Sequence, residues 1–336
     1  MNLMKVKGRS SGVIEIHSLL YLFHVLLTLM VCISGGSGTH LSRINADPLT
    51  VCIYKGPGAA DVKDYQMALA EVMPDDISFR YLMPEEVISE KFAENCDLLV
   101  MPGGADKPYC EALNGPGNKN IRAFIEAGGR YYGTCAGAYY GADNLLFDEQ
   151  NPTRRMKETR ELKFFNGQAR GPLFVPYPEG GPYPAQIALS DYAVHNSSDQ
   201  IVIDKKSVWE PDVEAESVID QVVIDTNFTA YYYGGPFFDY PKLKEGTYKV
   251  LAYYPIPKTL EKTLYLRPER EAYWSKNPPA LAAILSIKVG KGHVILTGVH
   301  LENTTFDAKN KGKPWNRKKM LKFLLQELEL PTKAEE

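Results

Sequence analysis

Cysteine is scarce: the chain of 336 residues has five, at positions 32, 52, 96, 110 and 135. Cys32 falls in an amino-terminal leader. The other four crowd into the first half and are too few for a disulfide framework. A Cys52–Cys96 bridge is sterically open, since each flanks an apolar strand, but nothing in the sequence requires it. Net charge is almost absent, 38 Lys and Arg against 41 Asp and Glu. That excludes the basic footprint of a nucleic-acid binder. The one basic cluster, Lys309 to Lys319, is broken by Pro314 and Trp315 and reads as a solvated loop entering a helix. Internal repeats and low-complexity segments are lacking. Histidine is sparse, at six residues, so the search for a general base is short. What remains is ordinary globular composition, 44% hydrophobic and 24% charged, of a length for one large α/β domain or two small ones. Tyrosine is abundant, 21 residues, and many adjoin Gly or Pro, a pattern of aromatic-walled loops.

The amino terminus stands apart. Lys5, Lys7 and Arg9 precede an apolar stretch from about Leu19 to Ile33, followed by Ser34-Gly-Gly-Ser-Gly38. Basic, apolar, small is the order of a secretory signal. A retained anchor is the alternative, because a bilayer span needs about 20 residues and the run approaches that if extended back to Val13. The expectation is a signal peptide or anchor over 1–38, a linker over 39–47, and a secreted or membrane-anchored protein that touches the membrane only through this segment. In that compartment Asn196-Ser-Ser, Asn227-Phe-Thr and Asn303-Thr-Thr fit the glycosylation acceptor pattern.

From Leu49 the pattern alternates between strand and helix. Strands are expected at Leu49–Tyr54, Ile77–Leu82, Asp97–Met101 and Arg130–Thr134. Helices are expected from Asp61, as a cap, to about Met73, at Pro84–Phe92, at Lys119–Ala127 and from Ala136 to about Leu146. Four such repeats imply a doubly wound, mainly parallel sheet. The stretch from about 150 to 275 is rich in Pro, Gly and Tyr and reads as an irregular β insertion shaping a cleft, with short strands at Leu162–Phe165 and Thr229–Tyr233. A hairpin, Ala280–Val289 with Gly292–Thr297, and an amphipathic helix, Trp315–Leu328, complete the domain at about residue 330.

The chemistry concentrates at Gly133-Thr-Cys-Ala-Gly137. A cysteine between a parallel strand and a helix is lifted above the sheet by a turn that demands small residues two before and two after. The helix start offers unpaired N–H groups to the sulfur, and the Ala136 amide is placed as an oxyanion donor. Met101-Pro-Gly-Gly-Ala105 ends a neighbouring strand, so backbone amides at Gly103 and Gly104 are candidates for the second donor. Among the histidines, His17, His24 and His40 lie in the leader or linker, His195 in a polar loop and His293 inside a strand. His300 follows a strand end, with Glu302 two residues on. Cys135, His300 and Glu302 are therefore the expected nucleophile, base and orienting carboxylate.

These segments resemble the amino-terminal domain of eukaryotic biotin–protein ligases, a branch of the class I glutamine amidotransferase-like superfamily. The blocks are Met101-Pro-Gly-Gly-Ala-Asp-Lys-Pro-Tyr-Cys110, Gly129 to Tyr140, Phe164 to Pro172, Tyr231-Tyr-Tyr-Gly-Gly-Pro236 and Gly290 to Glu302. The resemblance spans about 48 to 330 and implies a flavodoxin-like sheet with a Cys–His–Glu triad at Cys135, His300 and Glu302. Two positions depart from the superfamily. Tyr139 stands where glutamine-using members carry Gln, and His-Pro-Glu is His-Leu-Glu here. No arginine–glycine-rich adenylate loop and no synthetase domain is found, so biotin attachment is not expected. No metal and no cofactor is expected either. The expected function is hydrolysis of a small-molecule amide or acyl substrate by Cys135, with a non-catalytic binding or regulatory module as the alternative. Tyr109, Tyr139 and Tyr233 are expected to line the cleft. Arg170 either binds a substrate carboxylate or forms a structural ion pair. A redox bridge between Cys135 and Cys110 is a further alternative.

Overall fold

Strands in the first half are short apolar runs, and each helix between them carries one apolar face. The computed structural model describes residues 48–197, 227–239, 248–256, 259, 262–266 and 280–334. The leader and linker lie outside the described residues. The chain opens with β1 (Thr50–Tyr54), α1 (Val62–Val72), β2 (Ser78–Leu82), α2 (Pro84–Ile88), β3 (Leu98–Met101) and α3 (Asp106–Leu113). It continues with α4 (Pro116–Glu126), β4 (Arg130–Thr134) and α5 (Ala136–Gly141). All four residues of β3 are buried, as in a strand covered on both faces. In α1 the buried residues are Tyr65, Ala68, Leu69 and Val72, a single helical stripe. α4 starts on Pro116, whose missing N–H is no loss at a first helical position.

The later elements are β5 (Ala142–Phe147), β6 (Met156–Thr159), β7 (Phe165–Gly171), β8 (Tyr183–Leu189) and α6 (Asp191–Asn196). Then come β9 (Phe228–Tyr232), β10 (Phe237–Asp239), β11 (Tyr248–Pro255), β12 (Ala280–Val289), β13 (Gly292–Thr297) and α7 (Arg317–Glu327). β2-β1-β3-β4-β13 pair in parallel in that order. This is the expected doubly wound, flavodoxin-like core. Alternation along the strands feeds two apolar layers. Val51, Ile53, Leu98 and Val100 face α1 and the Leu321, Leu324 and Leu325 side of α7. Cys52, Tyr54, Leu99 and Met101 face Leu113, Ile121 and Phe124 of α3 and α4.

The insertion is more regular than its composition predicts. The sheet runs on past β13 through β12-β10-β7-β5-β6, and β11, β8 and β9 branch from β12, giving 13 strands. Three local expectations fail. The helix after Cys135 stops at Gly141 instead of Leu146, and 142–147 is strand β5. A Cβ on Gly141 would stand 2.7 Å from Leu296 Cδ2, so the helix end is pressed on β13 while β5 gains parallel pairing with β7. Tertiary pairing there outweighs helical propensity. The strand expected at 162–165 begins only at Phe165 and runs to Gly171. The helix expected over 84–92 ends at Ile88, and a 3-10 segment, Glu90–Asn95, follows. Asp61 does precede α1, but at φ 51° and with no side-chain capping bond. Among the described residues no helix is long and apolar enough to cross a membrane.

Candidate active site

The carboxyl ends of β1, β3, β4 and β13 meet at one edge of the parallel core, where ligands of open α/β sheets bind. Three loops converge there: Met101–Ala105 after β3, Cys135 after β4, and Gly298–Glu302 after β13.

Cys135 sits at φ 49°, ψ −104°. A non-glycine residue held there costs about 1–3 kcal/mol, and such strain clusters at functional sites. The turn is fixed on both sides. The Cys135 N–H donates to the Thr297 carbonyl at 2.9 Å, and the Cys135 carbonyl accepts from the Ala138 and Tyr139 amides at 3.0 and 2.9 Å. The flanking glycines are sterically required. A Cβ on Gly133 would stand 2.6 Å from the Gly137 carbonyl oxygen, and one on Gly137 only 2.0 Å from that of Met101.

His300 Nδ1 lies 2.6 Å from Glu302 Oε1. Cys135, His300 and Glu302 are 6%, 8% and 7% exposed, so the group is nearly closed off from water. Burial pulls the His300 pKa down, but the Glu302 carboxylate and the neighbouring Cys135 override it and hold it well above the ordinary value. His300 Nε2 and Glu302 Oε2 are buried without hydrogen-bond partners among the described residues. The thiol lies close enough to His300 to act on its charge, and it contacts the Tyr233 carbonyl at 3.5 Å. The end of β9 clamps the histidine: the His300 N–H donates to the Tyr231 carbonyl at 2.9 Å, and the Tyr231 ring meets the imidazole edge-on at 5.6 Å.

Two buried tyrosines hold the 102–104 loop. Tyr109 Oη donates to the Pro102 and Gly103 carbonyls at 3.0 and 3.2 Å. Tyr65 Oη accepts the Gly103 N–H at 2.8 Å, so that amide is occupied. Gly104 takes φ +124°, and a Cβ there would stand 2.0 Å from the Gly58 carbonyl oxygen. The Ala136 amide opens α5, where no carbonyl one turn back exists to receive it.

Tyr109 is fully buried and acts on the loop instead of facing an open cleft. Tyr139 is also buried, and its hydroxyl donates to the Gly234 carbonyl at 3.1 Å. It thereby supports the segment whose preceding carbonyl touches the thiol. Tyr233 is half-buried and stacks obliquely on Tyr177 at 4.8 Å. Arg170 is 6% exposed and is engaged by Glu149 at 2.7 Å and Asp239 at 4.0 Å, the structural ion pair of the two readings. Asn196 is exposed at the end of α6, while Asn227 and Asn303 are half-buried. All four described cysteines are free thiols. Burial, and then the Cys52 thiol beside it, push the Cys96 thiol up. Burial raises the Cys110 thiol, with Arg160, Asp106, Glu158 and Glu161 the charges that act on it. Among the described residues no three His, Cys, Asp or Glu side chains are grouped to hold a metal ion. Sequence reasoning missed Tyr65, Tyr177 and Tyr231. Tyr177, between Pro176 and Pro178, belongs to the tyrosines beside Gly or Pro, and Tyr231 opens one of the blocks that carry the resemblance, whereas no sequence signal marks Tyr65.

Core order, elbow and converging loops define an α/β protein of the class I glutamine amidotransferase-like kind, as the resemblance implied. The family model described as "Biotin-protein ligase, N terminal" matches residues 49–334, and the chain belongs to that family. The biotin–protein ligase of Schizosaccharomyces pombe is 28% identical over 259 residues, covering 76% of this chain and 33% of that protein. An uncharacterized protein of Chlamydia muridarum is 44% identical over 81 residues, covering 24% of this chain and 31% of its own. The chain thus spans about a third of the length of the curated relatives it matches. Among solved structures, PurLQS from Thermotoga maritima aligns with a TM-score of 0.46 at 13% identity, covering 83% of this chain and 99% of that one. A putative ThuA-like protein from Bacteroides uniformis aligns with a TM-score of 0.45 at 10% identity, covering 86% and 95%. Likenesses of this depth carry no information about chemistry.

Proposed function

We propose that the protein is a cysteine hydrolase of small-molecule amide or related acyl bonds, with Cys135 as nucleophile, His300 as proton shuttle and Glu302 as the group that orients His300. One observation carries the reading. A strained cysteine at φ 49° faces a histidine whose Nδ1 is held by a carboxylate at 2.6 Å and whose buried Nε2 is left without a partner. Sγ attacks the carbonyl carbon, the oxygen takes the charge, and the Ala136 amide with the Gly104 backbone supports it. His300 Nε2 hands its proton to the leaving nitrogen as the C–N bond breaks. Water then attacks the thioester, the acid departs, and the proton returns to the Cys135–His300 pair.

The test is alkylation kinetics followed by substrate screening. Iodoacetamide should modify native protein fast at one thiol, and Cys135→Ser should abolish that phase. A slow reaction that needs denaturant would defeat the reading. Small amides, glutamine included, are then screened for release of amine.

A non-catalytic binding or regulatory module is the second reading, and one specific contact favours it: the thiol meets the Tyr233 carbonyl at 3.5 Å. Under that reading Cys135→Ala leaves the biological phenotype intact. We further propose that the 1–38 segment directs the chain into the secretory pathway, either cleaved or retained as an anchor, where Asn196 and Asn227 are glycan acceptors. Amino-terminal sequencing and glycopeptide mapping of native material test this. An intact Met1 on a soluble, unglycosylated protein would remove it.

A further inference from the structure

We propose that the Cys135 site takes a cationic amide, a substrate carrying an ammonium nitrogen about one side-chain length from the scissile carbonyl. The chemistry rests on the hydrolase reading. The charge of the substrate is read from the walls of the site.

Two segments border the Cys135–His300 pair. On one side Ala60 N–H donates to the Gly103 carbonyl at 3.0 Å, and Ala59 bridges Gly104. Asp61 therefore stands beside the 103–104 loop, with Asp64 one turn into α1. On the other side Tyr231 bridges His300, its ring lies 6.5 Å from that of Tyr233, and Tyr233 lies 4.8 Å from Tyr177. The three rings are inclined to one another, at 72° and 56°, and all are half-buried. The negative π faces of phenol rings attract a cation. Phe306, 5.8 Å from Tyr231, already carries Lys309 Nζ 5.2 Å from its centroid on the outer rim.

Two carboxylates lie beside the 103–104 loop. Asp61 is exposed and Asp64 half-buried, and neither makes an ion pair with a described residue. Burial raises the Asp64 carboxyl, followed by the charges of Asp61 and Glu302. Tyr231 is raised by burial first, with Asp61 and Glu302 again among the contributors. Lys63, between the two aspartates, is exposed. Arg170, the one arginine considered for a substrate carboxylate, is engaged by Glu149 and Asp239. An anionic substrate would approach two carboxylates, whereas a cationic one would be drawn in by them and by the rings. The buried, unpartnered His300 Nε2 at the base marks the position for the scissile group.

The experiment uses the full chain with Cys135→Ala and, independently, Cys135→Ser, so that binding is read without turnover. Calorimetry compares Nα-acetyl-lysine amide, Nα-acetyl-norleucine amide and Nα-acetyl-glutamic amide. The lysine amide should bind at least tenfold tighter than the norleucine amide, a difference of about 1.4 kcal/mol, and the glutamic amide weakest. Asp61→Asn with Asp64→Asn should bring the lysine-to-norleucine ratio near one. Equal affinities, a preference for the glutamic amide, or no binding of the lysine amide would overturn the proposal. Binding of the lysine amide with no amide turnover by the unsubstituted protein would remove the hydrolase reading and leave this one standing.

Discussion

Gly103 and His300 are in direct contact: a Cβ on Gly103 would stand 2.7 Å from His300 Cε1 and 3.4 Å from Nδ1. The 103–104 loop and the His300 imidazole are thus fitted to each other, although nearly two hundred residues separate them in sequence.

Gly103→Ala tests that fit. The new methyl must push the imidazole away from its line to Cys135. Misplacement of about 1 Å costs roughly 100-fold in such sites. Turnover, or the rate of Cys135 alkylation, should fall by about that factor while the melting temperature stays near that of the parent. A parental rate would show that the ring has room to spare.

Gly137→Ala should act on stability instead. Its Cβ would lie 2.0 Å from the Met101 carbonyl oxygen, a backbone atom that cannot rotate aside. Overpacking of this kind costs about 1–3 kcal/mol or more. The urea midpoint should shift accordingly, and an unchanged midpoint would mean that β3 and α5 are less closely apposed.

Tyr65→Phe removes the acceptor of the Gly103 N–H at 2.8 Å and leaves a buried amide unpaired, a loss of roughly 1–3 kcal/mol. The Tyr65 hydroxyl also faces Glu302, whose charge, after burial, helps raise it. The pH profile of alkylation should therefore shift in Tyr65→Phe. A fall in stability alone would leave Tyr65 a purely structural residue.

Arg170→Met should lower stability by roughly 1.5–3 kcal/mol, the scale for hydrogen bonds to charged groups, because Glu149 loses its 2.7 Å partner. Affinity for any substrate should stay within twofold of the parent. A loss of affinity greater than the loss of stability would return Arg170 to substrate binding.

Acid stability should report His293, which bonds Ser286 Oγ at 2.8 Å. Burial, then Lys288, lower its pKa to about 4. The unfolded chain takes up this proton near pH 6.5 and the folded chain only near 4. The unfolded state thus binds more protons across that interval, and stability falls as pH falls from about 6.5 to about 4. Urea midpoints across this range should decline, and His293→Gln should flatten that part of the curve. His300 has the opposite sign. Its raised pKa contributes stability below its unfolded value, and that contribution is lost as pH rises through the folded value.

Much of this was legible in the chain. Residues 130–134 and the hairpin 280–297 appear as strands with the bounds their patterns give, because alternating or continuous apolar runs ended by glycine leave little choice. The elbow was legible because close approach there admits only glycine at 133 and 137. Helix α5 is shorter than its local pattern predicts, because one glycine, Gly141, is a weak stop within Ala-Gly-Ala-Tyr-Tyr-Gly-Ala. The stop comes from Leu296 against Gly141 and from β7 pairing with β5, contacts made by residues far away in the chain.

The same division holds at the site. The sequence by itself determined the cysteine at the strand end, the histidine with a carboxylate two residues on, and the doubly wound order that brings strand ends to one edge. Those are local patterns, and chirality and short connections leave them few arrangements. Only the tertiary structure decided that Tyr65 takes the Gly103 amide, that Tyr109 and Tyr139 are internal props, that Arg170 is ion-paired, and that Tyr177, Tyr231 and Tyr233 lie ring to ring. Side-chain direction and hydrogen-bond partners depend on what the insertion lays across the core, and no short-range pattern encodes that.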